Sequence, residues 1–314
     1  MGSRISRRGF LRAAGGAATA IPLRSIADPT TEEFRLDEHS ATVATASDRI
    51  VDIHVHFDEN NPNFIRDLVT LAERINLVAC LLTPYSHRVQ VADAAKRHPG
   101  RIVPFGFVDL DAPDVLSQVN DFHTLGYRGL GELEFVKKTY IDASYFPVYE
   151  LANQFGWVVM FHTGIVLRRS VDHPEDVASH RMRAFYLEEI ARRFPKLTVI
   201  GAHCGNPEYE WAAEVARWNP NVFFDLSGST LTKMSNRLEE FKKFFWWSGQ
   251  GEWKTATPAN DQSAFAKLVF GSDSGLDGIE RVVSQYRALF KSCEVPASTQ
   301  QLIIGRTLTG ILQL

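Results

Sequence analysis

Five residues with metal-binding side chains each stand at the end of an apolar run: His54, His56, His162, His203 and Asp273. Alternate side chains of a strand share a face, so His54 and His56 point to the same side. One such pair is weak support for a metal site, because histidines also occur as hydrogen-bonded core residues. The ordered set is stronger, since the carboxyl ends of barrel strands meet at one face. The set predicts a site where imidazoles and a carboxylate hold a divalent ion.

Short β-branched and aromatic runs alternate with stretches of helical period from Arg49 onward, a pattern typical of βα units around a parallel sheet. Most runs are continuously apolar, as strands covered on both faces must be. We therefore predict a single (β/α)8 TIM-barrel domain of α/β class over residues 49–314, with a last helix near residues 299–312 packed on its outside. The eight predicted strands cover residues 50–56, 77–83, 102–108, 129–133, 157–162, 197–203, 222–226 and 268–273.

The connection between the seventh and eighth predicted strands is an extended insertion from about residue 230 to residue 263. In a barrel this connection extends over the catalytic face. Its aromatic side chains could form a lid or a substrate wall, but packing within a long helical excursion explains them equally well. These aromatic residues are Phe241, Phe244, Phe245, Trp246, Trp247 and Trp253.

The composition favours one globular domain that acts on a small molecule. The chain has 314 residues, of which 45% are hydrophobic, so it can bury one large core without a second full domain. Its formal net charge of −3, with both signs interspersed, makes nucleic acid and anionic membranes unexpected partners. Cys80, Cys204 and Cys293 are far apart and form no CxxC pair, so we expect neither a disulfide framework nor a zinc finger.

Residues 1–27 resemble a twin-arginine signal peptide. Arg7 and Arg8 precede a stretch rich in alanine and glycine over residues 13–20, which is too short and too weakly apolar to form a stable membrane span. A disordered basic tail is the alternative. The resemblance implies export by the twin-arginine machinery to the periplasm, and residues 28–48 are predicted to be a polar leader.

The ordered ligand set resembles the amidohydrolase superfamily, and within it the amidohydrolase-related branch that includes aminocarboxymuconate semialdehyde decarboxylase and several lactonases. The resemblance covers the chain from about residue 49 to its end. It implies His54, His56 and His162 as metal ligands. It also implies His203 as a ligand or a proton carrier, and Asp273 as a ligand and the general base. Further motifs that carry the resemblance are Gly129, Arg192-Arg193-Phe194-Pro195 and Asp225-Leu226-Ser227-Gly228.

Imidazole and carboxylate donors suit Zn²⁺, or Mn²⁺, in one or two copies. A divalent ion in such a site lowers the pKa of a bound water towards neutrality and polarises a carbonyl oxygen. Asp273 can then accept the proton, and His203 can stabilise the developing oxyanion. This chemistry predicts a metal-dependent hydrolase of a C–O or C–N bond in a lactone, ester or amide.

The number of ions depends on Glu132, near the end of the fourth predicted strand. Many amidohydrolases place a carboxylated lysine there, and the TatD-like nucleases place a glutamate in a similar Gly-Glu setting, in both cases bridging two ions. If Glu132 bridges, the first-strand histidines and Asp273 hold one ion and the later histidines hold the other. If Glu132 is instead a strand-end charge paired with Arg128 or Lys137, one ion suffices.

Nonoxidative decarboxylation of an aromatic or muconate-like acid is the alternative function, because the same branch uses a nearly identical ligand set for it. A decarboxylase needs an arginine aimed at the departing carboxylate. Arg168 and Arg169 follow the fifth predicted strand on the catalytic face and could bind a carboxylate, although surface charge also explains them. A binding protein without catalysis is disfavoured by the complete ligand set, and a nuclease by the lack of a basic surface.

Barrel proteins of this kind often form homodimers, but nothing in the sequence identifies an interface.

Overall fold

The computed structural model describes residues 49–166, 178–229, 240–245 and 264–314. Their seven strands form one parallel sheet in sequence order, so every crossover passes on the same side and the sheet curls. Several strands are shorter than predicted because their carboxyl ends turn early into the loops of the site. The strands are β1 (Ile50–His56), β2 (Leu77–Thr83), β3 (Ile102–Gly106), β4 (Gly129–Leu133), β5 (Val158–Phe161), β6 (Thr198–Gly201) and β7 (Val222–Phe224).

Helices cover the outer face of the sheet. In the first of them Phe64, Leu68, Leu71 and Ala72 are buried, which is the spacing of an apolar stripe that packs on a core. Among the described residues, no helix is long and apolar enough to cross a membrane. The helices are α1 (Phe64–Arg74), α2 (Arg88–Arg97), α3 (Val115–Thr124), α4 (Phe146–Phe155), α5 (Leu187–Arg193), α6 (Tyr209–Trp218), α7 (Glu240–Phe244), α8 (Ile279–Ser292), α9 (Ala297–Gln301) and α10 (Thr307–Leu312), the last two joined by a π-helical turn (Leu302–Arg306).

Residues 268–273, which we call the closing segment, complete the barrel without forming a regular strand. Val269 N–H donates to the Phe224 carbonyl of β7 at 2.9 Å. On the other side, Ile53 N–H of β1 donates to the Phe270 carbonyl at 3.0 Å. The segment therefore lies between β7 and β1 as an eighth strand would. The regular eighth strand predicted over residues 268–273 does not form.

The strand ladder of the closing segment is interrupted because other groups form hydrogen bonds with its backbone. The Tyr286 hydroxyl of α8 accepts from Gly271 N–H at 3.4 Å and from Leu226 N–H, just past β7, at 2.7 Å. Phe270 N–H donates to the Ile303 carbonyl at 2.9 Å. A tyrosine side chain and the terminal helices thus replace bonds that a neighbouring strand would have made.

The last helix closes one end of the barrel. In β2, Val78 and Leu82 belong to an interior apolar cluster, whereas the alternate residues pack with the helices. Leu308 and Leu312 of α10 join this interior cluster. Arg128, directly before β4, donates to the Leu312 carbonyl at 3.0 Å, which fixes the helix at the amino-terminal end of the strands. The prediction that the last helix packs on the outside was therefore wrong.

The described part of the insertion between β7 and the closing segment is α7 and the residue after it. Phe241 and Phe245 are fully buried in the core shared with the helices, and the Phe244 ring lies 5.6 Å from that of Tyr209. For these aromatics, packing is the observed role. Trp246, Trp247 and Trp253 lie outside the described residues.

Candidate metal centre

Six predicted ligands converge at the carboxyl ends of the strands. β1 contributes two histidines through the alternation of its side chains, β4 contributes a glutamate, the loops after β5 and β6 contribute one histidine each, and the closing segment contributes an aspartate. Arg168 and Arg169, the predicted substrate-binding residues, lie outside the described residues. The six that meet are His54, His56, Glu132, His162, His203 and Asp273.

Three of these residues, His54, His56 and Asp273, form what we call the half-open group. The Nε2 atoms of the two histidines are 3.1 Å apart. Asp273 Oδ1 lies 3.6 Å from Nε2 of His54 and 3.5 Å from Nε2 of His56. His54 is fully buried, but the side chains of His56 and Asp273 are 41% and 32% exposed. Water or a substrate can therefore reach this group from one side.

The other three, Glu132, His162 and His203, form the buried group. Glu132 Oε1 lies 2.9 Å from Nδ1 of His162 and 3.3 Å from Nε2 of His203. All three side chains are at most 11% exposed. A carboxylate in such a place has to be paired, because burial of an isolated charge is expensive.

Glu132 lies between the two groups and contacts both. Its second oxygen, Oε2, is 3.2 Å from Nε2 of His54 and 3.7 Å from Nε2 of His56. Glu132 does not pair with Arg128 or Lys137, which was the alternative. The Arg128 guanidinium donates to α10 at the opposite end of the barrel, and Lys137 is exposed. One carboxylate thus offers one oxygen to each group.

Asp225 and Ser227, directly after β7, fix the orientation of two of the histidines. Asp225 Oδ2 accepts from Nδ1 of His54 at 3.0 Å. The Ser227 carbonyl accepts from Nδ1 of His203 at 2.7 Å. Because a carboxylate and a carbonyl only accept, both rings carry a proton on Nδ1 and direct Nε2 to the site. The sequence assigned no role to these two residues; the available signal was an aspartate at a strand end, where the neighbouring strands carry their ligands.

Burial and neighbouring charges shift the pKa values of three residues in the site. Burial disfavours a charged imidazole, yet the carboxylates of Asp273 and Glu132 outweigh it and raise the pKa of His54 well above its usual value. Burial likewise opposes charge on His203, but Glu132 raises the pKa of His203 to about 9. Burial alone would raise the pKa of Glu132, whereas His54 and hydrogen bonds from the other histidines hold it well below its usual value.

Asp52 is a further buried acid that was not singled out by the sequence. Its Oδ1 accepts from the backbone N–H groups of His54 at 3.0 Å and Ser272 at 2.9 Å, so it ties β1 to the closing segment. Burial raises the pKa of Asp52 to about 7, against the effect of its hydrogen bonds. Asp52 therefore supports the strand end that carries the histidines and is not itself among the candidate ligands.

The donor set fits divalent ions. In each group of three, one potential ligand atom per residue lies within 4.8 Å of the others. Imidazole nitrogens with carboxylate oxygens are the donors that zinc and manganese accept. Nε2 of His162 is buried and has no hydrogen-bond partner in the described chain, although buried polar atoms are usually satisfied. The arrangement can hold one ion in each group, with Glu132 as the shared ligand.

A cavity of about 300 Å³ opens between the loops after β5 and β6. Gly164 and Gly205, each two residues beyond a candidate ligand, line it together with Ile165. Arg183 in the same wall forms a bidentate ion pair with Glu208, with both N–O distances 2.7 Å, so its charge is already matched. The volume is at the lower end of the range for small-molecule sites.

A parallel barrel with histidines and carboxylates gathered at the carboxyl ends of its strands defines a TIM-barrel enzyme. The family model described as Amidohydrolase matches residues 69–300. The chain therefore belongs to the amidohydrolase family. The match extends over Glu132, His162, His203 and Asp273, and the two histidines of β1 precede it. No curated protein matched the chain.

Solved structures with the same fold include proteins of different activities. An uncharacterised TIM-barrel protein from Bordetella bronchiseptica has a TM-score of 0.58 and 14% identity, over 84% of this chain and 98% of that one. A probable 2-pyrone-4,6-dicarboxylic acid hydrolase from Acinetobacter baumannii has 0.56 and 14%, over 85% and 100%. The 5-carboxyvanillate decarboxylase from Sphingomonas paucimobilis has 0.57 and 12%, over 85% and 100%. At these identities the likeness shows the shared fold alone.

Proposed function

We propose that this chain is a metal-dependent hydrolase that cleaves a C–O or C–N bond of a small lactone, ester or amide. When bound, one or two divalent ions, Zn²⁺ in the first instance, would activate a water and polarise the substrate carbonyl. Hydrolysis is the reaction that a Glu132-bridged pair of ions favours, so the proposal depends on how many ions the site holds.

The residues divide the work by their positions. His54 and His56 would hold an ion at the half-open group, where substrate and water can arrive. Asp273, exposed and within 3.6 Å of both histidines, would contribute to that ion and act as the general base that takes the proton of the attacking water. His162 and His203 would hold the second ion, and His203, with its raised pKa, can also carry a proton.

The position of Glu132 is the observation that carries the proposal. Its two oxygens face different groups, at 2.9 Å from Nδ1 of His162 and 3.2 Å from Nε2 of His54. A carboxylate that served one ion would need only one of these contacts. This geometry supports a binuclear site, which is the case expected if Glu132 bridges two ions in the way that the glutamate of the TatD-like nucleases does.

The second candidate is a metal-dependent decarboxylase of an aromatic or muconate-like acid. Its support is that the decarboxylase and the pyrone dicarboxylate hydrolase found among the similar structures match this chain equally well, with TM-scores of 0.57 and 0.56. A decarboxylase would use one ion and an arginine for the departing carboxylate, for which Arg168 or Arg169 would be the candidates.

The metal content of the purified protein tests the proposal. Wild type, expressed without residues 1–27 and analysed for metal by elemental analysis, should carry about two ions per chain. Glu132→Ala should carry about one or none, because both groups lose a carboxylate oxygen. Glu134→Ala is the matched control, since this glutamate is two residues further along and belongs to neither group; it should retain the wild-type content.

Each outcome decides between the candidates. If wild type holds two ions and their binding depends on Glu132, substrate screening should concentrate on lactones, esters and amides. A single ion that survives Glu132→Ala would contradict the bridged site and favour decarboxylation, to be screened with aromatic carboxylic acids. No ion in any of the proteins would sink both activities.

We also propose that the protein is exported to the periplasm by the twin-arginine machinery, with a signal in residues 1–27. The support is the pair Arg7 and Arg8 before the alanine-rich stretch. Replacing both arginines by lysine should leave the precursor in the cytoplasm, as shown by fractionation and immunoblotting. Unchanged export of the double variant would contradict a twin-arginine signal.

A further inference from the structure

We propose that Asp225 is a positioning residue shared by the two groups of candidate ligands, so that one buried carboxylate orients a ligand on each side. The inference rests on the proposed metal site, which it deepens. Asp225 is fully buried and lies directly after β7. No lysine or arginine forms an ion pair with it in the part of the chain that the structure describes, where its ion-pair partner is His54.

One oxygen of Asp225 serves the half-open group. Oδ2 accepts the Nδ1 proton of His54 at 3.0 Å. Nε2 is therefore the only atom of this ring that can coordinate an ion. That atom is 3.2 Å from Glu132 Oε2 and 3.6 Å from Asp273 Oδ1. With the proton on Nε2 instead, His54 could not bind an ion there.

The other oxygen serves the buried group through the backbone. Oδ1 accepts from His203 N–H at 2.9 Å. His203 has a φ of +61°, in the left-handed region that non-glycine residues seldom adopt and that needs support from its surroundings. This conformation brings its Nε2 to 3.3 Å from Glu132 Oε1. Asp225 therefore holds in place the turn that presents the second histidine.

Ser227 connects the two halves of this network. Its N–H and its hydroxyl both donate to Asp225 Oδ1, at 2.9 and 2.7 Å, and the hydroxyl oxygen lies 3.1 Å from Nδ1 of His54 and also 3.1 Å from Nδ1 of His203. The site has no room for a side chain at position 271, because a Cβ on Gly271 would lie 2.5 Å from Asp225 Oδ2. Glycine at position 271 therefore lets the carboxylate approach the closing segment.

The substitution Asp225→Asn separates the two roles. The amide oxygen can still accept from His203 N–H, but the amide nitrogen faces Nδ1 of His54 as a donor and moves the ring proton to Nε2. The half-open group should lose its ion, and the buried group should keep one. Asp225→Ala removes both contacts and should weaken both ions.

The measurement is zinc binding to metal-free protein, by competition with a chromophoric chelator and by elemental analysis. For Asp225→Asn we expect about one zinc per chain and a Kd for the second zinc raised about 10- to 100-fold. Asp111→Asn is the matched control, because Asp111 also accepts from a backbone N–H and a hydroxyl but lies outside the site. Far-UV circular dichroism and thermal unfolding of the metal-free proteins check that each variant folds.

The outcomes distinguish this inference from the proposed function. Two zinc ions with wild-type Kd in Asp225→Asn would overturn the positioning role while leaving the metal site standing. Equal weakening in Asp111→Asn would also overturn it, because the effect would then be general. If wild type itself binds neither zinc nor, in the same assay, manganese, the proposed function fails and the inference fails with it. Should Asp225→Ala not fold, Asp225→Asn and Ser227→Ala carry the test, the latter with a smaller rise in Kd.

Discussion

The half-open group and the buried group contain similar ligands in different surroundings. The side chains of His56 and Asp273 are 41% and 32% exposed, whereas no side chain of the buried group exceeds 11%. In the buried group each contact must be kept, because unpaired polar atoms there cannot turn to water. At His56 and Asp273 of the half-open group, water can replace a lost contact. The difference fits the proposal that the buried group holds one ion firmly, while the half-open group exchanges water and substrate.

The largest effect should follow from changing the exposed carboxylate. In Asp273→Asn the amide cannot take a proton, so turnover of any lactone or ester substrate should fall by about 10³-fold, within the usual range for general-base catalysis. The measurement is steady-state hydrolysis across a panel of lactones, with metal analysis of the same sample. The ion of the buried group should remain, because Asp273 does not contribute to it.

Asp277→Asn is the control, because Asp277 is exposed on the same loop and is absent from both groups. It should hydrolyse the panel at the wild-type rate. Near-normal kinetics in Asp273→Asn would remove this residue from the role of base and move the chemistry away from the half-open group.

Replacing one histidine in each group by alanine compares the two groups through the stability of the protein. In metal-free protein, His162→Ala leaves Glu132 without its 2.9 Å donor inside the core and should lower the free energy of unfolding by about 1–3 kcal/mol. His56→Ala removes a half-exposed ring, and water can replace it, so its cost should stay below about 1 kcal/mol. Urea unfolding followed by tryptophan fluorescence measures both. Equal costs would mean that burial does not distinguish the groups.

The barrel and the set of side chains that meet at its carboxyl-terminal end could be predicted from the sequence, because both depend on local patterns. Apolar runs of strand length mark β1 to β7, and the chemistry of His54, His56, His162, His203 and Asp273 is visible in the residue types. Parallel topology then places strand ends together without any detail of packing. For this reason the convergence of these side chains could be predicted from spacing alone.

What the sequence could not provide depends on contacts between distant residues. The closing segment is not a regular strand because the hydroxyl of Tyr286, from a later helix, takes its backbone groups. The last helix enters the barrel end because Leu308 and Leu312 fit the interior cluster. The role of Asp225 requires knowing that it meets His54, 171 residues away. None of these contacts leaves a periodic signal.

The finest test of the comparison is the pH dependence of metal binding, whose effect is small for each step in pH. Glu132 raises the pKa of His203 to about 9, above the usual 6.5. In metal-free protein this protonated pair stabilises the fold fully below the unfolded pKa, and the contribution is lost as pH rises through about 9. An ion in the buried group must displace that proton, so its affinity should rise roughly tenfold, or by about 1.4 kcal/mol, for each pH unit between about 6.5 and 9. Zinc affinity in metal-buffered solution, measured at half-unit steps on His56→Ala so that only the buried group is loaded, gives the slope. A flat profile would show that no imidazole proton is held there, and Glu132 would then not be the charged centre that couples the two groups.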